Sequence, residues 1–539
     1  MSDQINCGEA TIKLLEQYGV DTIFGIPGVH TLDLYRGFAN SSIQHVQVRH
    51  EQGAGFMADG YARATGKPGV CLLISGPGVT NGLTAIGQSY ADSIPVLMIS
   101  STTASYTLGK GWGCLHEVPD LQAVTAPLTA LSATALSPAD VPELIGQAFS
   151  IFASERPRPV HIAIPIDVLE MPVTEEWTAR RVPTRPMAPA EAVNAAADLL
   201  AEANRPLIMV GGGAVEASPA LTSLAELLNA SVISSNAGKG IVPDSHPLSL
   251  GGGIWRVPLQ EHVAQADVIL AIGTELSETD SFIERLNITG KLIRVDIDPR
   301  KINDLYPADI GIVADANATA SSLLSVLQER CVSTVSTSAR DTAAEVAAVL
   351  AKTLSEVSAN EKQHLKTLNA LRDVLPADTV IMGDIAQLVY TGSFAFPVEQ
   401  PRLWHYPAGY CTLGCGLPNG IGAKLALPER PVVVLAGDGG FMFTVQELIT
   451  AAELRLALPI IIWENGGLLQ IKEDMDLRHI PPVGVQGINP DFIALAKSMG
   501  CYGLKADSMH AFTTAVTDAL TADRPTVIEV NQGAAWLVD

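Results

Sequence analysis

The 539-residue chain is poor in cationic side chains. Lys plus Arg is 34 against 57 Asp plus Glu, a formal net charge of −23 at pH 7. A surface that acidic repels phosphate backbones and anionic headgroups, which argues against nucleic-acid binding and polybasic membrane docking. Mean hydropathy is positive, at +0.25. Yet no apolar run reaches about 18 uninterrupted residues, so no membrane span is expected. Cysteine is sparse and unpatterned. Cys7, Cys71, Cys114, Cys331, Cys411, Cys415 and Cys501 contain no Cys-x-x-Cys pair. That excludes a disulfide framework or a zinc ribbon and suits reduced thiols in a cytoplasmic protein. The N-terminal MSDQINCGEATIKLLEQYG lacks a basic segment followed by an apolar one, so no secretory signal is expected. There is no short-period repeat and no long low-complexity tract.

What is present is a large apolar fraction, 47%, with only 17% charged residues, which excludes a largely disordered chain. The length exceeds one hydrophobic core, and the apolar surplus suggests large cores and subunit interfaces. Short apolar runs alternate with helical stretches. They are VDTIFGIPG (20–28), GVCLLISGPG (69–78), IPVLMISS (94–101) and PVHIAIPIDV (159–168), then RPLIMVGGG (205–213), ADVILAIGT (266–274) and KLIRVDIDP (291–299). TVIMGD (379–384), PVVVLAGDGG (431–440), LPIIIWENGG (458–467) and PTVIEVNQ (525–532) complete the set. Continuous apolar strands alternating with helices predict an α/β chain with mostly parallel sheets covered on both faces. The proline-rich RRVPTRPMAPA (180–190) and the Ser/Thr-rich CVSTVSTSARDT (331–342) read as linkers. They divide the chain into three units, 1–180, 190–330 and 345–539, the first and third sharing a strand–Gly turn–helix grammar.

The strongest chemical signal is GDGGFMFTVQELITAAELRLALPIIIWENGG. One apolar strand runs into Gly437-Asp438-Gly439-Gly440, and a second ends at Glu464-Asn465-Gly466-Gly467. Gly-rich turns let backbone N–H groups approach phosphate oxygens, and the following helix offers its N-terminus to the anion. Asp438 and Asn465 end neighbouring strands and can offer hard oxygen ligands to one octahedral cation such as Mg2+. A bare GDG turn is common in parallel sheets. The 27-residue step from Asp438 to Asn465 narrows the reading.

This stretch resembles the diphosphate-binding motif of thiamine diphosphate enzymes, GDG followed after a spacer by Asn-Asn. Here Glu464 replaces the first Asn, and Asn465 keeps the ligand position. The resemblance implies a Mg2+ held by Asp438, Asn465 and Gly467, with Gly437, Gly439, Gly440, Gly467 and Leu468 around the diphosphate. RHEQGAGFMADGYAR matches the family's glutamate region. Glu51 is then the carboxyl group that hydrogen-bonds the aminopyrimidine ring and shifts it to its imino tautomer, a job for a poorly solvated carboxyl of raised pKa. In YCTLGCGLP, Leu413 occupies the place of the bulky residue that bends the cofactor. Cys411 supplies the main-chain contact to the pyrimidine. Asp384-Ile385-Ala386-Gln387 resembles the loop whose amides help hold the diphosphate, and Gly28 ends a turn that lines the substrate approach. His30, His116, Gln88 and Ser75 are pocket candidates, though a lone His is more often structural or exposed. Ile471 stands where some decarboxylases carry a catalytic glutamate. An apolar side chain cannot transfer protons, so that work falls to other groups, for instance the histidines.

The resemblance spans the whole chain and is to the acetolactate synthase/benzoylformate decarboxylase branch. It implies a pyrimidine-binding, a Rossmann-like central and a diphosphate-binding domain. FGIPGVHTLDLYRG, LHEVPDLQA and GTELSETDS look most like the 5-guanidino-2-oxopentanoate decarboxylase group. The Gly211-Gly212-Gly213 turn is a weak dinucleotide signal, and GGGIWRVPLQEHVAQAD (251–267) does not resemble the FAD-contacting stretch of acetolactate synthases. A central domain without FAD is therefore the expectation. The family's sites lie between subunits, Glu51 of one chain facing Asp438 and Asn465 of another, so a homodimer, and a tetramer as a dimer of dimers, is expected. The implied reaction is loss of carbon dioxide from a 2-oxo acid, a longer or guanidino-bearing one for simple decarboxylation, through a C2 ylid and an enamine. Aldehyde release and carboligation of acetolactate synthase type both stay open. So does the use of Glu117, Glu473 and Asp474 to receive a cationic side chain. The joint presence of Glu51, Asp438 and Asn465 argues against a non-catalytic cofactor-binding regulator.

Overall fold

The computed structural model describes residues 5–330 and 340–538. Most of the linker read at 331–342, and Cys331, lie outside the described residues. Among the described residues no helix is long and apolar enough to cross a membrane.

Among the described residues the strands form three parallel sheets. The first contains β1 (Thr22–Gly25), β2 (Gln44–Gln47), β3 (Gly69–Leu73), β4 (Val96–Thr102), β5 (Leu131–Thr134) and β6 (Val160–Pro165), in the order β2-β1-β3-β4-β6-β5. The central sheet contains β7 (Pro206–Val210), β8 (Ser231–Ser234), β9 (Val268–Ile272), β10 (Lys291–Asp296) and β11 (Ile310–Val313), in the order β11-β10-β9-β7-β8. The last contains β12 (Val380–Gly383), β13 (Trp404–His405), β14 (Val432–Gly437), β15 (Pro459–Glu464), β16 (Tyr502–Lys505) and β17 (Thr526–Asn531), in the order β13-β12-β14-β15-β17-β16. The first and last sheets therefore share one strand order. The eleven apolar runs read from the sequence are eleven of these strands, and helices cover them on both faces, which is why they are apolar throughout.

The order reverses between β1 and β3, and again between β12 and β14. In open parallel sheets such switch points leave a crevice outside the carboxyl ends of the strands. Gly28 and Ser75 follow the ends of β1 and β3, and Asp384 and Asp438 follow those of β12 and β14.

The first and last units share one core, in which Phe24, Val48 and Met57 join Leu417, Val434 and Trp463. The Glu51–Thr65 helix crosses the Gly416–Ala426 helix at the join and is buried from Gly53 to Ala64. The crossing depends on missing side chains. A Cβ on Gly60 would overlap the Asn419 carbonyl oxygen, and one on Gly422 would overlap that of Met57. Beneath it, Arg63 is buried between Asp59 and Asp92, the latter at 2.7 Å. The central unit has its own core around Ile208, Leu221, Ile293 and Leu323.

Candidate active site

Asp438 follows the tip of β14, and Asn465 follows the tip of the adjacent parallel strand β15. Asp438 is buried. Its Oδ2 accepts N–H groups from Gly466 at 2.9 Å and Gly467 at 3.0 Å and the Asn489 amide at 2.7 Å. Its Oδ1 accepts the Gly439 N–H at 2.9 Å. The turn after β15 is thus pinned onto the turn after β14. Gly466 and Gly467 adopt φ of 84° and 135°, a region that favours glycine. Asn465 Oδ1 is buried and has no hydrogen-bond partner among the described residues. A buried amide oxygen without a donor is costly unless something else meets it. Glu464, where the family has Asn, accepts the side-chain amides of Asn489, at 3.2 Å, and Asn531. Its charge is therefore met by local donors.

Two further loops close on this turn. Asp384 follows β12 and is fully buried. It accepts N–H groups from Ile385 at 2.7 Å, Gly414 at 3.0 Å and Gly416 at 3.0 Å. Burial pushes its pKa up, against the pull of those three donors. The Ile385 amide is consequently taken by its neighbour and is not free for an anion. Ala386 faces Gly437, where a Cβ would sit 3.4 Å from the Ala386 Cβ, and a Cβ on Gly440 would sit 2.9 Å from Asp384 Oδ1. Gln387 donates to Gln470 at 3.1 Å and to Glu473 at 2.7 Å, and its Oε1 is buried without a partner. Leu468 donates its N–H to Val485 at 2.9 Å, while its side chain covers Gly439. Cys411 is exposed, with φ of 52°, and Leu413 is half-buried.

The other half lies at the first switch point. Glu51 is the first residue of its helix, half-buried, and Asn81 donates to its Oε2 at 2.9 Å. A Cβ on Gly78 would sit 3.7 Å from Glu51 Cγ, and one on Gly28 would overlap Ile74. The His30 and His116 rings meet edge to face at 5.2 Å. Burial and then His116 hold His30 below the usual imidazole range. Ser75 donates to the His116 carbonyl at 3.2 Å. The sequence-selected residues thus form two groups, and among the described residues no hydrogen bond or ion pair joins Glu51, His30 or His116 to Asp438 or Asn465.

Gln88 is fully buried with both amide atoms committed. It donates to Asp92 at 2.7 Å and accepts the N–H and hydroxyl of Thr412 at 3.1 and 2.9 Å. It ties the Pro77–Ala91 helix to the turn carrying Leu413 and presents no free polar atom. In the central unit, Gly211 and Gly213 donate their N–H groups to Ile272 and Gly273 at 3.1 and 3.0 Å. Those glycines let two turns touch, and their amides are not aimed at a ligand.

Sequence reasoning missed Asn81, Asn489, Asn531 and Glu447. The asparagines stand in no motif. Glu447 carried a signal, as a single acid in the otherwise uncharged run FMFTVQELITAA.

Two sheet crevices, one with an acid and an unpartnered amide at adjacent strand tips and the other with a glutamate opening a helix, define an α/β enzyme built around a diphosphate-bearing cofactor. Comparison with known proteins gives the particular family. Residues 5–124 match the N-terminal thiamine pyrophosphate-binding domain of thiamine pyrophosphate enzymes, residues 193–323 their central domain, and residues 384–530 their C-terminal thiamine pyrophosphate-binding domain. The chain is 52% identical over 504 residues to a probable 2-ketoarginine decarboxylase of Pseudomonas aeruginosa, covering 92% of this chain and 89% of that one. It is 32% identical over 557 residues to an acetolactate synthase of Mycobacterium bovis, covering 98% and 88%. It is 30% identical over 538 residues to the acetolactate synthase isozyme 3 large subunit of Escherichia coli, covering 96% and 92%. The chain belongs to the thiamine pyrophosphate enzyme family.

Proposed function

We propose that the chain catalyses the Mg2+-dependent, non-oxidative decarboxylation of a 2-oxo acid with a guanidino side chain, 5-guanidino-2-oxopentanoate. The observation that carries this reading is the 52% identity, over nearly the whole chain, to a protein named for decarboxylating 2-ketoarginine, the same compound.

The site chemistry supports it. Asp438, the unpartnered Asn465 oxygen and the Gly467 carbonyl would hold a hard cation whose shell is completed by water and diphosphate oxygens. Among the described residues no group of three His, Cys, Asp or Glu side chains offers a closed cage. That favours a cation bound jointly with phosphate over an all-protein site. Bound thiamine diphosphate supplies the electron sink that accepts the pair left when carbon dioxide departs. Glu51, steadied by Asn81, holds the proton at the pyrimidine ring. Leu413 would support the bent form of the bound cofactor. His30 and His116 face each other beside the Gly28 turn and handle the proton that completes the aldehyde. Ile471 is 46% exposed and offers no proton. Glu473 and Asp474, beside Gln387, present negative charge to a cationic tail.

The unit boundaries proposed are 1–180, 190–330 and 345–539, with no FAD in the central unit. A homodimer, assembled further into a tetramer, brings Glu51 of one protomer to Asp438 of its partner. Exposed apolar side chains at the two crevice rims, Trp112 and Leu115 on one and Phe443, Leu477 and Ile488 on the other, favour that assembly.

Carboligation remains the second reading, favoured by the acetolactate synthase relatives that span almost the whole chain. The test is a panel of 2-oxo acids with added thiamine diphosphate and Mg2+, read for carbon dioxide and product identity. Release of 4-guanidinobutanal is expected. Acetolactate from pyruvate as the main product, with the guanidino acid untouched, would replace this reading by the second.

A further inference from the structure

A buried carboxylate outside both groups holds the start of the Glu51 helix. Glu447 opens the Glu447–Glu453 helix, nine residues beyond Asp438, and is 0% exposed. Its Oε1 accepts the N–H of Arg49 and of His50, each at 3.1 Å. Its Oε2 accepts the Arg49 N–H at 3.2 Å and the Thr450 hydroxyl at 2.9 Å. Arg49 and His50 are the two residues directly before Glu51. His50 is also the N-cap, its Nδ1 accepting the Gln52 N–H at 3.1 Å. The first N–H groups of a helix have no partner within it and carry the positive end of its dipole. The N–H groups that Glu447 takes are those of the N-cap His50 and of Arg49 just before it, so a carboxylate reaching across from the last unit holds the chain where this helix begins. The fit leaves no slack at Gly53, where a Cβ would sit 2.5 Å from Glu447 Oε1. The Arg49 guanidinium turns away to Glu453, so Glu447 is held by backbone donors and one hydroxyl and not by an ion pair. Burial pushes its pKa up to about 7.

We infer that Glu447 is a positioning residue for Glu51: by gripping the backbone of Arg49 and His50 it sets the placement of the Glu51 carboxyl. The inference rests on the reading of Glu51 as the group that acts on the cofactor's pyrimidine ring. Structural capping alone would cost stability. Positioning would cost activation of bound cofactor at unchanged cofactor affinity, because a displacement of about 1 Å can cost on the order of 100-fold in rate.

The test compares Glu447→Gln, Gly53→Ala and Glu51→Gln in the full-length protein with thiamine diphosphate and Mg2+. Glu447→Gln puts an amide donor against two N–H groups. Gly53→Ala leaves Glu447 intact and crowds its carboxylate. Three readouts are taken: cofactor affinity by calorimetry, the near-ultraviolet circular dichroism band of the cofactor's imino tautomer, and amide hydrogen exchange at residues 49–52 without cofactor. Both positioning variants are expected to bind cofactor within about threefold of the parent, to lose the imino band and at least about tenfold in turnover, and to exchange faster at 49–52. An unchanged band and turnover in folded Glu447→Gln and Gly53→Ala protein, with Glu51→Gln inactive, would overturn the inference alone. Full turnover in Glu51→Gln would overturn the reading beneath it.

Discussion

At Asn465 a single buried polar atom lacks a donor among the described residues. That atom is the side-chain oxygen, beside Asp438, and the missing donor is a cost that a bound cation would remove. Asn465→Ala is expected to weaken Mg2+-dependent binding of thiamine diphosphate by about 10- to 100-fold while leaving the fold intact, measured by titration calorimetry at fixed Mg2+. Asp474 makes a second case. Among the described residues its carboxylate accepts one hydrogen bond, from the Gln470 amide at 3.4 Å, which leaves capacity for a guanidinium. Asp474→Asn is expected to raise KM for 5-guanidino-2-oxopentanoate about tenfold, with little change for an uncharged 2-oxo acid of similar length, in steady-state assays. Asp438 and Asn465 stand out in the sequence because Gly-rich turns and fixed spacing flag them, and Glu51 because its stretch resembles the family's glutamate region. Glu447 was not, because its meaning lies in a contact to a residue 398 positions away. Asn489 and Asn531 were hidden for the same reason, Asn489 reaching Asp438 and Glu464 from a later loop and Asn531 reaching Glu464 from the end of β17.

At the scale of elements, the strands that sequence reading missed are β2, β5, β8, β11, β13 and β16, and every one is an edge strand. An edge strand is covered on fewer sides, so it carries QHVQ, LSAT or YGLK where an interior strand carries VVVLAG or PIIIWE. The apolar-run signal reports burial on both faces, which β2, β5, β11 and β16 lack; β8 is buried throughout but carries serine at both ends, so its apolar run is only two residues long. The helix crossing was also beyond the sequence, since a glycine needed for close approach looks like any other. Its consequence is testable. Gly60→Ala and Gly422→Ala each push a methyl group onto a backbone carbonyl, which cannot swing aside as a side-chain end can. Each is expected to cost about 1–3 kcal/mol, or more where the helices cannot separate, read as a lowered midpoint in denaturant.

For the whole molecule, buried histidines set the acid limit. Burial lowers the pKa of His161 and His405 to about 3 and that of His364 to about 4. Their folded values lie below the ordinary value near 6.5, so the unfolded chain takes up protons first as pH falls. The stability they contribute is full above about pH 6.5 and is lost as pH drops towards their folded values, by up to about 1.4 kcal/mol per unit for each. Glu447 acts with the opposite sign. Its folded value near 7 exceeds the ordinary carboxyl value, so its contribution is full at low pH and is lost as pH rises through 7. Buried Asp92, Asp280, Asp296 and Asp384 share the sign of Glu447, and His30, His45 and His262 share that of the three histidines. His364→Asn is expected to remove one histidine's share of the loss, so that the thermal midpoint falls less, or rises more, from pH 7 to pH 5 than in the parent, by scanning calorimetry.

The matching strand orders of the outer sheets have one more consequence. In each unit the helix that follows the second strand, Glu51–Thr65 in one and Gly416–Ala426 in the other, packs on its counterpart, Gly60 against Asn419 and Gly422 against Met57. That is an isologous contact of the kind two identical molecules make about a diad, here folded into a single polypeptide as an internal pseudo-dimer.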